Sequence, residues 1–152
     1  MKTLIALTLV VQLITISPRA AAQTNKTIDL FTLVTEMATY DTYEMSYTVG
    51  YAGFISKQYQ RFLKLHSIAP EQDLLSLAQN HQNGVVRLYA FQALKHQKVQ
   101  IPTAIIEQFS NDTSIVRSVN GCLVDKKSIR YLSNQPLPLS RNRSIPLIER
   151  KQ

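Results

Sequence analysis

The sequence predicts an all-α protein, a short stack of antiparallel helical pairs, on three observations. Residues 86, 89, 90, 93 and 94 are apolar at the i, i+3, i+4, i+7, i+8 spacing of one helix face. Val85, Leu88 and Phe91 widen that face until little but Arg87, Gln92 and Lys95 is left for water, so neighbours must cover the helix on several sides. Residues 116, 119, 120, 123 and 124 then repeat the same template at a shift of thirty. The alternative is an α+β fold with strands near 43–51 and 115–124.

Taken in order, the first helix is capped by Thr27 and carries Leu30, Phe31, Val34, Met37 and Ala38 at helical spacing. After Asp41 the period changes. Tyr43, Met45, Tyr47, Val49 and Tyr51 alternate with Glu44, Ser46, Thr48 and Gly50, the period of a half-buried strand. No second run of that quality offers it a partner, so an extended strap over the helices, or a strand completed by another chain, is expected. Ser56 starts a second helix with Tyr59, Phe62, Leu63 and His66 inward, and Pro70 begins a third with Leu74, Leu75, Leu77 and Ala78 on its core side. Asn83 caps the diagnostic helix. Pro102 begins the next, with Ile105, Ile106 and Phe109 inward, and Asn111 to Ser114 cap a degraded second copy whose Asn120 and Gly121 replace Ala90 and Phe91. A mid-helix glycine costs about 1 kcal/mol relative to alanine. Ser128 to Leu132 adds a short last helix, and the prolines at 136, 138 and 146 mark an extended tail.

The spelling Val-Val-Arg followed by Ala and Ala-Leu in 83–94 resembles the second helix of a HEAT repeat, over about residues 70–125. In such sequences a proline often follows the cap, where this chain has Gly84. The resemblance implies an α-solenoid, and solenoids mostly present surfaces to other proteins. It implies no cofactor and no reaction.

The first 22 residues read as a signal peptide. Lys2 precedes an uncharged run from Leu4 to Ile16, Pro18 breaks it, and Ala20-Ala21-Ala22 offers a cleavage site before Gln23. The run is shorter than the roughly 20 residues that span a bilayer. The expected organisation is a signal peptide at 1–22, a helix and Tyr-rich segment at 23–54, a HEAT-like domain at 55–132 and a basic, disordered tail at 133–152. The chain should be exported, periplasmic or extracellular. Sequons at Asn25, Asn111 and Asn142 carry meaning only in a glycosylating secretory route.

Net charge is +7, and its distribution is uneven. From 23 to 116 seven Lys/Arg stand against eight Asp/Glu, whereas from 117 to 152 eight stand against two. Arg141, Arg143, Arg150 and Lys151 make the end of the chain a candidate for an anionic envelope surface. Nucleic acid is not expected of an exported chain, and the tail lacks aromatic interleaving beyond Tyr131.

No residue set specifies a reaction, so the expected function is a non-catalytic protein-binding or scaffold module. His66, His81 and His96 are too far apart in sequence for a metal pair within one helical turn. Cys122, the single cysteine, sits among Val119, Leu123 and Val124 and reads as a buried, inert thiol. Arg87 and Arg117 occupy equivalent repeat positions and should project from one edge of the stack. Pairing with a carboxylate or a helix carbonyl of the neighbouring repeat is their ordinary role, with ligand contact the alternative. An enzyme whose site is assembled in space has no motif to support it.

Overall fold

The computed structural model describes residues 18–139, with side chains from residue 29 onward. Six helices and four strands follow in order: α1 (Pro18–Tyr40), β1 (Tyr43–Val49), β2 (Phe54–Ile55), α2 (Lys57–Ile68), α3 (Glu71–Asn80), α4 (Gly84–Gln97), α5 (Thr103–Asn111), β3 (Ile115–Gly121), β4 (Leu123–Ser128) and α6 (Ile129–Asn134). The strands form one sheet in the order β2-β1-β3-β4. Hairpins join β1 to β2 and β3 to β4, while β1 and β3 pair in parallel across the excursion α2–α5.

The all-α stack is therefore wrong, and the α+β alternative describes the molecule. The stretch expected to be a second repeat helix is the β3–β4 hairpin, running from Ile115↔Ser128 to Asn120↔Leu123. The reason is local. Ile115, Val116 and Val119 are β-branched, and Gly121 adopts φ +57°, a left-handed turn conformation that no helix interior accepts. Once 115–121 is extended it supplies the partner that Tyr43–Val49 lacked. Helix α1 also begins earlier than expected, at Pro18 rather than after Thr27.

Helix α4 is the centre of the fold, with every side chain from Val85 to Leu94 except Arg87 buried. Asn83 accepts the amides of Val85 and Val86 at 2.9 and 3.1 Å, which satisfies two donors of the first turn. Gly84 is required by packing, because a Cβ there would lie 2.7 Å from Ile129 Cδ1 and 3.3 Å from Val116 Cγ1. Helix α3 lies along α4 after a three-residue connection, burying Leu74 and Ala78. Between α2, α4 and the sheet lies an aromatic cluster: Tyr43 on Tyr89 at 4.7 Å, Tyr89 on Phe62 at 5.4 Å and Phe62 on Tyr59 at 5.8 Å.

The segment after α6 is packed, contrary to the expectation of a free tail from Ser133. Leu137 is fully buried, Leu139 packs against the core, and the Tyr59 hydroxyl donates to the Pro138 carbonyl. Gln92 Nε2 reaches the carbonyls of Ser133 and Gln135 at 3.3 and 2.8 Å, and Lys95 Nζ reaches Ser133 O at 3.2 Å. The remaining tail residues, with Arg141, Arg143, Arg150 and Lys151, lie outside the described residues, as does the run from Leu4 to Ile16. Among the described residues no helix is long and apolar enough to cross a membrane.

Candidate binding site

Helix α1 carries apolar side chains on two faces. Leu33 and Met37 point into the core, where α1 packs on α2 and α4. Leu30, Phe31, Val34 and Ala38 form a second stripe, and it lines an open groove whose other wall is Asp73, Ser76 and Leu77 of α3. Phe31, expected inward, is 74% exposed at the rim. The groove holds about 660 Å³, within the range of small-ligand and peptide sites.

The threonines that continue the stripe make it less polar than their sequence implies. Thr35 Oγ1 donates to the Phe31 carbonyl and Thr39 Oγ1 to the Thr35 carbonyl, both at 2.9 Å. Their hydroxyl protons are thus engaged by their own helix. One end of the groove is pinned, because Asn83 Nδ2 donates to Ala38 O at 3.2 Å and to Asp41 Oδ1 at 2.8 Å. His81 stands at the same end, its Nδ1 accepting the Asn83 amide at 3.1 Å. Asp73 is the single carboxylate on the walls, exposed and without an ion pair among the described residues. It sits in the first turn of α3, beside the positive end of that helix dipole.

A second polar constellation surrounds Glu44, whose side chain is buried in an otherwise apolar region. Ser56 Oγ donates to one carboxylate oxygen and the Tyr40 hydroxyl donates to the other at 3.0 Å. Burial and then the Glu44 carboxylate hold the Tyr40 phenol above its ordinary pKa. Tyr43 is fully buried, and that pushes its phenol far up, although the Gln92 amide is near enough to oppose the shift. The Tyr43 hydroxyl has no hydrogen-bond partner among the described residues. Every other member has an internal partner, so this cluster ties β1 to α1 and α2, with the exposed Tyr40 at its edge.

Arg87 and Arg117, paired by the sequence reading, lie apart in space. Arg87 Nη2 pairs with Asp112 Oδ2 at 2.5 Å, both half-buried, joining α4 to the end of α5. Asp112 also accepts the Ser114 amide at 2.9 Å, and its carbonyl accepts the Arg130 amide. Arg87 thus organises the turn into β3. Arg117 is not its counterpart on a shared edge. It belongs to β3, is exposed, and faces Lys126 across the hairpin.

Cys122 is exposed at the β3–β4 turn rather than buried. His66 and His96, distant in sequence, meet edge to face at 6.0 Å where α2 packs on α4. His96 Nε2 lies 2.5 Å from the Leu137 carbonyl, and burial, then the neighbouring His96, lowers the His66 pKa. Among the described residues no three His, Cys, Asp or Glu side chains are grouped to hold a metal ion. Ile106, also expected inward, is exposed on α5.

The groove itself was hidden in the sequence. An apolar stripe at helical spacing reads as core, and only the absence of a covering element among the described residues distinguishes the two. No protein-family model and no curated protein matches the chain.

Proposed function

We propose that this protein is a non-catalytic protein-binding module, and that its binding site is the groove between α1 and α3. The observation that carries the reading is an apolar stripe on α1 left open beside α3, with Phe31 at its rim. From Leu30 to Thr39 the stripe runs about 14 Å, two and a half helical turns. That length suits one amphipathic helix of a partner, docking its i, i+3, i+4 and i+7 side chains. Asp73 asks for a Lys or Arg at the matching end of that helix.

Export by the N-terminal segment, with cleavage after Ala22, belongs to the same proposal; α1 would then begin at Gln23. A second reading, attachment to an anionic envelope surface through Arg141, Arg143, Arg150 and Lys151, is supported by the concentration of positive charge after residue 116.

Ser76 is an exposed wall residue, so Ser76→Trp fills the groove without touching the core. The substituted protein should melt like the original and lose its partner in co-purification from the exported fraction. Retention of the same partner in undiminished yield would remove the groove from the account.

A further inference from the structure

The parallel pairing of β1 and β3 brings both hairpin turns to one end of the sheet. That end carries Tyr51, Phe54, Ile55, Leu123 and Val124, all more than half exposed and Tyr51 completely so. The register distributes them over both faces: Phe54 stands opposite Val49 and Ile55 opposite Thr48, while Leu123 and Val124 are successive residues of β4. The cluster spans the sheet from β2 to β4, three strand spacings or about 14 Å. A partner lying on one face would leave half of it in water. A medium entered end-on covers all of it.

Three glycine amides of the two turns are paired internally. Gly50 N donates to Gly121 O at 3.0 Å, Gly53 N donates to Gly50 O at 3.1 Å, and Gly121 N donates to Ser46 Oγ at 2.8 Å. Internal pairing of this kind lowers the cost of removing a turn from water.

Behind the apolar end stand cations. Arg117 and Lys126 are directly opposite each other on β3 and β4, both exposed and neither in an ion pair among the described residues. Like charges in that position repel unless an anion lies between them. Lys126 is three residues from Leu123, about 10 Å along the strand. Interfacial segments bury their apolar side chains to about 5–10 Å, which would bring Arg117 and Lys126 to the level of lipid phosphates. The one carboxylate of β4, Asp125, pairs with Lys127 at 3.4 Å, and Glu44 is buried.

We propose that this twin-hairpin end of the sheet is a docking device for an anionic lipid surface. The five apolar side chains enter the interfacial region, and Arg117 and Lys126 meet the headgroups. The device is separate from the groove and from the basic residues beyond 139.

The chain has no tryptophan, so Tyr51→Trp places a single reporter at the tip. Its emission is read with vesicles of phosphatidylcholine alone and of equal phosphatidylcholine and phosphatidylglycerol, alongside pelleting of the full exported chain. A blue shift confined to the mixed vesicles, quenched by brominated acyl chains and weakened by salt, is the expected result. Arg117→Gln and Lys126→Gln should each weaken binding about fivefold. Phe54→Ser with Leu123→Ser should weaken it about tenfold or more with an unchanged melting temperature, since both positions are exposed. Pelleting without any change in the reporter would assign attachment to another part of the chain and overturn the proposal. A blue shift in the absence of vesicles, with a doubled mass in sedimentation, would replace the lipid with a second copy.

Discussion

The Tyr89 hydroxyl makes both backbone hydrogen bonds of Glu44, accepting from its amide at 2.7 Å and donating to its carbonyl at 2.9 Å. One side chain of the central helix thereby does for β1 what a neighbouring strand would do. It also explains how a sheet with an irregular β1–β3 register after Glu44 stays attached to the helices. The phenol itself is held well above its ordinary pKa by burial, so this hydroxyl keeps its proton throughout the physiological range.

Tyr89→Phe removes one oxygen and leaves two buried backbone groups without partners. Each such group costs about 1–3 kcal/mol, so the variant should lose about 2–6 kcal/mol in urea unfolding while its helix content is preserved. A loss below about half a kcal/mol would mean that water reaches Glu44 in the native state.

Leu137 tests whether the segment after α6 belongs to the fold. It is fully buried, and its carbonyl faces His96. Leu137→Ala should destabilise by about 2–5 kcal/mol, as buried leucine truncations do. Thermal or chemical unfolding indistinguishable from the parent protein would detach 133–139 from the helical core.

His66 links stability to pH. Burial and His96 lower its pKa in the folded state, so below its ordinary value of about 6.5 the unfolded chain takes up a proton more readily than the folded one. Its contribution is therefore constant above that pH and turns destabilising as pH falls through it. The melting temperature of His66→Asn, measured against the parent, should fall less steeply between neutral and mildly acid pH. Parallel pH profiles of the two proteins would show that His66 is not coupled to folding.

Much of the helical part was legible in the residues, whereas the sheet was legible only as the alternative, from the alternation of Tyr43 to Tyr51, for physical reasons. Asn83, the apolar periodicity of 85–94 and the proline before α3 each act within one or two turns of chain, and the structure keeps all three. The hairpin at 115–128 stood only as the alternative because residues 116, 119, 120, 123 and 124 match a helical template as they stand. Ser118 and Val119 are both buried, so the alternation that identifies a strand is erased there. Gly84 stands where a proline often follows the cap, and its role is the close approach of Ile129 and Val116, residues that no local pattern connects to it. The groove was illegible for the reverse reason: Phe31 obeys helical periodicity while nothing among the described residues covers it.

The groove assignment is tested most directly by replacing Phe31 with a photoreactive benzoylphenylalanine in the full chain, with Glu107, exposed on α5, as the control position. Irradiation in the native compartment should give a discrete protein adduct from position 31 and none from position 107. Ser76→Trp should abolish the adduct. Equal labelling from both positions, or an adduct that survives the filled groove, would contradict the assignment.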